Sequence, residues 1–321
     1  MTAPAGPPAL LCTDFMLDRY GDRLATAAPD LQPVALTGDD VVNETDLARL
    51  EVAFFSGDAY PHRAAHFMGA VLRAPALRWL HTFSAGTDHP VFAGLLARGV
   101  RISTSSGAAA GPIARTVVMY LLALSRDLPH LLRAQAAHEW SPRRFVDLDG
   151  VTIGVVGMGP IGLEVIRLAT ALGMRPIGMR RAVAGDEPCE TWPLDRLAEL
   201  AAQVDALVLA LPLTDETREI ISARVLARLQ PHAVVVNVGR GELVDEPALI
   251  EALAAGRIGG AGLDVFTTEP LPADSALWDL PNVILTPHTS GATAANDDRA
   301  ADIFLANLAA FVQDRPLRNE R

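Results

Sequence analysis

Short apolar runs alternate with longer amphipathic segments over the first hundred residues of the chain. Four of these runs are rich in aliphatic and aromatic residues and are too short for helices, which is typical of buried strands. The predicted strands cover residues 9–12, 52–55, 79–83 and 100–103. Because amphipathic segments separate them, the pattern predicts a small α/β unit.

A long apolar segment follows Pro112. Residues 113–128 have the pattern of a helix, which continues beyond Pro129 towards residue 137. Apolar residues occupy much of its circumference, so this helix needs a surface to pack against. One interpretation buries the helix between two domains of the chain. We favour the other, in which the helix and the following Trp140 form a homodimer interface.

From residue 150 onwards, strands and helices alternate at a steady interval, which is typical of a parallel sheet built from crossover units. The predicted strands cover residues 152–156, 176–179, 206–209, 233–236, 260–265 and 283–285. Six strands complete a doubly wound sheet. A last predicted helix, residues 293–312, returns to the first unit. The predicted domains are therefore residues 1–106 with 292–321, and residues 107–291.

Composition limits the classes of function. The 321 residues are enough for two domains with separate cores. A formal charge of −11 argues against a general binder of nucleic acids or anionic membranes, whose phosphates need a positive surface. The sequence contains no lysine, which excludes a Schiff-base lysine, a Walker-type lysine and pyridoxal chemistry.

Cysteine usage and hydropathy predict a protein of the reducing cytoplasm. Cys12 and Cys189 are far apart and have no histidine at a metal-ligand spacing, so we expect two buried thiols and no metal site. Residues 1–8 lack the features of a secretory signal. The longest apolar run, residues 116–124, is too short to cross a bilayer.

The predicted strand 152–156 leads into a glycine-rich turn, Gly157-Met158-Gly159-Pro160-Ile161-Gly162, and a predicted helix over residues 163–172 follows. In such a turn the first glycine permits a tight bend, the second lets the backbone approach a pyrophosphate, and the third lets the helix pack on the strand. The N-terminus of the helix offers N–H groups to the anion. The order of strand, turn and helix predicts a Rossmann-type dinucleotide-binding domain.

The end of the next strand indicates the cofactor. An acidic residue usually stands there and accepts hydrogen bonds from the ribose 2′-hydroxyl of NAD. This chain has Arg180 and Arg181 instead, and guanidinium groups pair with a 2′-phosphate. We therefore predict NADP(H) as the preferred cofactor, with NAD(H) possible. The alternative is that both arginines are solvated, with Asp186 and Glu187 folding back near them.

In an open parallel sheet, ligands bind beyond the carboxyl ends of the strands. Polar or glycine-containing segments follow five of the predicted strands. Besides the glycine turn, these segments are Leu211-Pro212-Leu213-Thr214, Asn237-Val238-Gly239-Arg240-Gly241, Asp264-Val265-Phe266 and Thr286-Pro287-His288-Thr289-Ser290-Gly291. The repeated coincidence with strand ends favours a ligand site over packing.

Three residues in or near these segments have the chemistry needed to reduce a 2-keto acid. Arg240 offers a forked cation that can hold a carboxylate and polarise the neighbouring carbonyl. His288 offers an imidazole that can give a proton to the carbonyl oxygen. Glu269 is the candidate carboxylate that orients the imidazole and raises its pKa. Each has a structural explanation when taken alone, but the combination favours catalysis.

These motifs resemble those of the D-isomer-specific 2-hydroxyacid dehydrogenase family, from about Trp79 to the final helix. The resemblance implies a smaller flavodoxin-like substrate (catalytic) domain in addition to the Rossmann-type domain. It implies a homodimer formed through a helical arm, which is the long apolar helix after Pro112. It also implies NAD(P)H-dependent reduction of a 2-keto acid to the D-2-hydroxy acid. It implies that Arg240 binds substrate, that His288 is the acid/base, and that Glu269 supports it.

The resemblance also implies ligand contacts. Backbone N–H groups around Ala85 and Gly86 receive the substrate carboxylate, and Asp264 faces the nicotinamide. The remaining predicted cofactor contacts, in addition to the glycine turn and the two arginines, are Leu211, Pro212, Thr217, Val238, Gly239 and Gly291. Phe54, Phe55, Ser56 and Tyr60 are candidates for the substrate pocket, although both phenylalanines fit the core equally well.

The sequence departs from the family pattern at Arg115, where many relatives place glutamate, and at the missing acidic NAD selector. Two alternatives remain open at this point. One is a formate- or phosphoglycerate-type dehydrogenase, although no extra basic cluster is apparent near Ala85. The other is a non-catalytic, nucleotide-sensing corepressor, which does not need Arg240, Glu269 and His288 together.

Overall fold

The computed structural model of the protein describes residues 6–38 and 40–321. The chain forms two compact units. The first contains the residues up to Ala108 together with Thr293–Arg321, and the second contains Ala109–Ala292. The predicted domain boundaries lie between residues 106 and 107 and between residues 291 and 292.

The strands and helices of the described residues are numbered in chain order. The strands are β1 (Ala9–Thr13), β2 (Gln32–Leu36), β3 (Leu50–Phe55), β4 (Trp79–Thr82), β5 (Arg101–Thr104), β6 (Thr152–Val156), β7 (Arg175–Arg180), β8 (Glu190–Pro193), β9 (Ala206–Leu209), β10 (Val234–Asn237), β11 (Gly260–Leu263) and β12 (Val283–Leu285). The α-helices are α1 (Asp14–Ala27), α2 (Glu44–Arg49), α3 (Ala64–Arg73), α4 (Pro90–Ala97), α5 (Ala110–Ser125), α6 (Leu128–Ala136), α7 (Pro160–Ala171), α8 (Leu197–Ala201), α9 (Ala223–Leu226), α10 (Glu246–Ala254) and α11 (Ala294–Phe311).

The first unit is built on a parallel sheet with the order β2-β1-β3-β4-β5, which is the flavodoxin-like order. Its central strands β1, β3 and β4 are almost wholly buried because helices cover both faces. Helix α11 packs on one face, where the ring of Phe304 stacks on that of Phe54 at 4.2 Å. The C-terminal helix therefore belongs to the core of this unit.

The second unit is built on a parallel sheet with the order β12-β11-β10-β9-β6-β7-β8. Strand β6 pairs with β9 on one side and with β7 on the other, so the chain reverses direction across the sheet at β6. This is the Rossmann-type arrangement, in which the carboxyl end of the central strand is the ligand-binding edge. Together the two sheets confirm the predicted α/β fold class.

The prediction of one continuous helix over residues 113–128 and beyond is wrong, because the segment forms two helices. Helix α5 ends at Ser125, and α6 begins at Leu128. Asp127 between them has a φ of 48°, a left-handed conformation that cannot continue a right-handed helix. Within the described residues no helix combines the length and the apolar character needed to span a membrane.

Candidate active site

The glycine turn between β6 and α7 can exist only with glycine at two of its positions. Gly157 has a φ of 104°, and a Cβ there would lie 2.7 Å from the carbonyl carbon of Ala210. A Cβ at Gly162 would lie 1.8 Å from the Gly157 oxygen, so α7 packs directly against the turn. These glycines hold the N-terminus of α7 at the end of β6.

The face of the turn at Gly159 is open. Gly159 is the N-cap of α7, no side chain caps the helix there, and nothing lies within 4 Å of a Cβ built on it. An open helix N-terminus attracts a phosphate through its N–H groups and the helix dipole. This edge therefore fits the pyrophosphate of a dinucleotide, whereas the neighbouring Met158 side chain turns into the core under Gly178.

The loop after β9 carries other predicted cofactor residues. Leu211 is buried, and its carbonyl oxygen lies 3.0 Å from a Cβ built on Gly239, so the loops after β9 and β10 are adjacent. The Thr217 hydroxyl lies 2.7 Å from the Thr214 nitrogen and 2.8 Å from the Pro212 oxygen. This hydroxyl folds its own loop, so its predicted contact with the pyrophosphate remains a prediction. Val238, after β10, is buried as well.

The two arginines at the end of β7 both have carboxylate partners. Arg180 lies 3.3 Å from Glu187, and Arg181 lies 2.7 Å from Glu216. Glu187 has folded back, as the alternative interpretation of this segment required. Its carboxylate also accepts the backbone N–H of Ala184 at 2.6 Å, and this bond contributes most to lowering the pKa of Glu187.

The structure brings Glu269 and His288 together from the segments that follow β11 and β12. His288 Nδ1 donates to Glu269 Oε2 at 2.7 Å, and Glu269 Oε1 accepts the backbone N–H of Phe266 at 3.0 Å. The Arg240 guanidinium donates to the Gly239 oxygen at 2.8 Å, and its charge helps to lower the pKa of Glu269 and opposes the rise in the pKa of His288. The three side chains predicted to act together thus form one charged cluster.

Gly241 explains why Arg240 lies beside this pair. A Cβ at Gly241 would come within 1.9 Å of the backbone carbon of Phe266, so the loops after β10 and β11 touch through their main chains. No other residue type permits that approach. Gly241 stood in the predicted motif, but its packing role was not identified from the sequence.

Protonation within the cluster follows from these contacts. The hydrogen bond to Glu269 raises the pKa of His288 against the opposing effect of burial. Burial acts to raise the pKa of Glu269, but the bonds from His288 and from the Phe266 backbone outweigh it, and the net shift is downward. Near neutral pH the carboxylate is therefore ionised, and it stabilises the protonated imidazole.

Asp264 anchors the loop that carries His288. Its carboxylate is 1% exposed and accepts the backbone N–H of Thr289 at 2.9 Å and of Ser290 at 3.1 Å. The Thr286 hydroxyl donates to it at 2.5 Å. Since that hydroxyl has one hydrogen, Tyr120 of α5 is the donor in its own 2.5 Å bond to Thr286. The predicted contact of Asp264 with the nicotinamide remains a prediction.

The start of α5 also supports this loop. A Cβ at Gly291 would lie 3.1 Å from the Ala109 side chain and 3.5 Å from Ile113. Gly291 is therefore placed by packing against the helix. The roles of Tyr120 and α5 could not be identified from the sequence, since a tyrosine in an apolar helix has the pattern of a core residue.

In the first unit, Ala85 and Gly86 lie in the loop after β4. The Ser84 hydroxyl donates to the Gly86 oxygen at 2.9 Å, and Arg321 donates to the Ala85 oxygen at 2.9 Å, so the loop has a defined shape. Among the pocket candidates, Phe54, Phe55 and Ser56 are buried in the unit, whereas Tyr60 is 63% exposed. Both phenylalanines therefore belong to the hydrophobic core of the first unit.

Most of the other histidines have surface positions. Five histidines were predicted to lie at the surface. Four of them are exposed, His62, His66, His138 and His232, and His130 is half-buried. His81 is wholly buried and bonded to the hydroxyls of two serines. Among the described residues no cluster of three or more histidine, cysteine or acidic side chains could hold a metal ion.

Comparison with known proteins identifies the family. Residues 118–290 match the family described as "D-isomer specific 2-hydroxyacid dehydrogenase, NAD binding domain". The chain is 40% identical over 253 residues to a glyoxylate/hydroxypyruvate reductase B of Pectobacterium carotovorum, covering 77% of this chain and 79% of that relative. It is 36% identical over 249 residues to a glyoxylate/hydroxypyruvate reductase of Arabidopsis thaliana, covering 76% of each.

Solved structures give the same result over nearly the full length. A D-isomer specific 2-hydroxyacid dehydrogenase from Xanthobacter autotrophicus Py2, in complex with NADPH and MES, is 29% identical with a TM-score of 0.81, covering 99% of this chain and 98% of that one. An NADPH-dependent glyoxylate/hydroxypyruvate reductase from Sinorhizobium meliloti, in complex with NADP and sulfate, is 29% identical with a TM-score of 0.80, covering 98% of each. As its motifs predicted, this chain belongs to the D-isomer specific 2-hydroxyacid dehydrogenase family.

Proposed function

We propose that the protein catalyses the NAD(P)H-dependent reduction of a small 2-keto acid, of the glyoxylate and hydroxypyruvate type, to the D-2-hydroxy acid. The observation that carries the proposal is the 2.7 Å pair of His288 and Glu269 beside Arg240, at the carboxyl edge of a Rossmann-type sheet. The names of the reductases that this chain resembles support the same substrate class.

Each of the three residues has a distinct task. Arg240 binds the substrate carboxylate and polarises the carbonyl oxygen. The nicotinamide, when bound, supplies the hydride that the carbonyl carbon receives. His288 gives a proton from Nε2 to the carbonyl oxygen, because its Nδ1 is committed to Glu269. Glu269 orients the imidazole and keeps it protonated.

The two units take different tasks in this proposal. The first unit is the substrate domain, in which backbone N–H groups around Ala85 and Gly86 receive the carboxylate. The second unit is the dinucleotide-binding domain, with its dimerisation arm in α5 and α6. NADP(H) is the preferred cofactor, because the end of β7 presents Arg180 and Arg181 where an NAD-selecting carboxylate usually stands. NADPH-bound structures of relatives support this preference.

We also propose a homodimer of the cytoplasm. Exposed apolar side chains concentrate on α5, α6 and the following segment, and they include a Trp140 that is 96% exposed in the single chain. A second copy of the chain would cover them. Cys12 and Cys189 are both free thiols, in keeping with a reducing compartment.

The test measures the oxidation of NADPH and of NADH by the purified protein with glyoxylate, hydroxypyruvate and phenylpyruvate, followed by chiral analysis of the product. We expect turnover with at least one keto acid and a D-configured product. The same assay is applied to the His288→Ala variant. Its turnover should be lower than that of the wild-type protein by roughly two to four orders of magnitude, while it still binds NADPH. A protein that binds NADPH but oxidises none of it would support the sensor alternative instead.

A further inference from the structure

The two ion pairs at the end of β7 differ in how firmly their carboxylates are held. Glu187 is 5% exposed at its side chain and also accepts the backbone N–H groups of Ala184 and Gly185. That carboxylate is part of the turn itself. Glu216, the partner of Arg181, is 73% exposed, and Arg181 is 72% exposed. Their 2.7 Å contact is a surface ion pair that solvent and ions can reach.

Glu216 and Arg181 lie in loops that follow different strands. It lies in the loop after β9, next to Thr217, whose hydroxyl bonds within that loop. The backbone at Glu216 is thereby fixed beside the end of β7, while its exposed side chain can swing away from Arg181. The pair therefore links the loops after β7 and β9 through a contact that can open.

A 2′-phosphate needs the same guanidinium group. A phosphate monoester carries more than one negative charge near neutral pH and binds arginine best through paired N–H donors. With Glu216 on Arg181, an incoming phosphate must displace a carboxylate or lie beside a like charge. Nicotinamide nucleotides that lack the 2′-phosphate meet no such competition.

We propose, on the basis of the proposed function, that Glu216 competes with the 2′-phosphate of NADP(H) for Arg181 and thereby lowers the preference of this enzyme for NADP(H) over NAD(H). Arg181 is then the arginine whose availability varies, and Arg180 is held by its fixed partner. Glu216 acts as a specificity determinant on the loop after β9, outside the segment at the end of β7 that usually selects the cofactor.

The test compares Glu216→Gln with the wild-type protein by equilibrium binding of NADPH and of NADH, without keto acid, so the readout does not depend on turnover. An exposed ion pair contributes up to about 1 kcal/mol, which corresponds to about a fivefold change in a dissociation constant. We therefore expect NADPH to bind about two- to fivefold more tightly to the variant, with no gain for NADH. The gain should shrink at high salt.

Two further variants identify the cause. Glu199→Gln removes the same charge from another exposed pair of the second unit, Glu199 with Arg196 at 2.5 Å, and should change neither affinity. In an Arg181→Gln background, Glu216→Gln should no longer strengthen NADPH binding, because the contested cation is gone.

The outcomes separate this inference from the proposed function. Wild-type protein that binds both nucleotides, with an NADPH-to-NADH ratio that Glu216→Gln leaves unchanged, overturns the role of Glu216 alone. Equal strengthening of both nucleotides also overturns it, since that would be a general charge effect. Wild-type protein that binds neither nucleotide overturns the proposed function and this inference with it.

Discussion

At the scale of single residues, the proposed role of His288 as the proton donor depends on Glu269. The hydrogen bond between them raises the pKa of His288, so the imidazole stays protonated to a higher pH than it would alone. Reduction of a keto acid needs the protonated form. Glu269→Gln removes the charge and lowers that pKa, so we expect the alkaline limb of the kcat/KM profile for reduction to move to lower pH. Initial rates across a pH series measure it.

Glu246→Gln is the matched control for this pH profile. Glu246, at the start of α10, accepts the backbone N–H of Thr267 at 3.0 Å, in the loop that carries Glu269, and it is not among the groups that shift the pKa of His288. Its variant should leave the position of the alkaline limb unchanged. An equal shift in both variants would contradict the role of Glu269, since the loop rather than the carboxylate would then set the pKa.

His81 gives a second prediction at this scale, on stability. Burial lowers the pKa of His81 to about 3, from 6.5 for a free imidazole. Below about pH 6.5, His81 therefore binds a proton in the unfolded chain but stays neutral in the folded protein. The free energy of unfolding then falls as the pH drops from 6.5 towards 3, by up to about 1.4 kcal/mol per pH unit. Urea unfolding at pH 7 and pH 5 should show a smaller loss for His81→Gln than for wild type. His62→Gln, at an exposed position, should behave as wild type.

The sequence predicted which side chains meet at the site better than it predicted the hydrogen bonds that hold their loops in place. Arg240 and His288 follow strands directly, and the convergence of strand ends in a parallel sheet is a general rule, so their meeting with Glu269 was predictable. The anchoring of Asp264 by Thr286 and Tyr120 was not. It depends on a contact between α5 and a loop 166 residues away in sequence, which no local pattern encodes.

At the scale of elements, α5 approaches the sheet through a glycine of β11. A Cβ at Gly262 would lie 2.5 Å from Cγ of Tyr120, so Gly262→Ala must push α5 away or distort the strand. We expect a loss of about 1–3 kcal/mol in the free energy of unfolding, measured by urea denaturation, together with lower kcat because Tyr120 supports the loop that carries His288.

Gly94→Ala controls for the loss of a glycine. Gly94 lies within helix α4, where nothing is found within 4 Å of an added Cβ. Alanine there should be neutral or stabilising by up to about 1 kcal/mol. If Gly262→Ala proved as harmless as Gly94→Ala, the close packing of α5 on β11 would not be a determinant of stability.

The strands that the sequence did not predict share one position in the fold. Strands β2 and β8 each lie at the edge of a sheet, and both contain exposed residues and a proline. An edge strand is buried less than a central one, and it tolerates proline because part of its backbone has no partner. Hydrophobic patterns therefore identify the central strands of such sheets more reliably than the edges.

At the scale of the whole molecule, the exposed apolar residues of the second unit need an explanation that one chain does not supply. In the part of the chain that the structure describes, seven of them lie on α5, on α6 and in the segment beyond, at Met119, Leu122, Leu128, Leu132, Trp140, Phe145 and Val146. A formal charge of −11 on each chain opposes association, so apolar contact has to outweigh repulsion in a dimer.

Leu132, at the middle of α6 and 55% exposed, is the most direct test of that dimer. A glutamate there would place a charge in an apolar interface and add to the repulsion between chains, so Leu132→Glu should convert a dimer into a monomer. Sedimentation velocity should show the mass of two chains for wild type and of one for the variant. The control variant Leu96→Glu, at an exposed leucine of α4 in the first unit, should remain dimeric. A monomeric wild-type protein would contradict the proposed assembly, and the apolar surface would then require another partner.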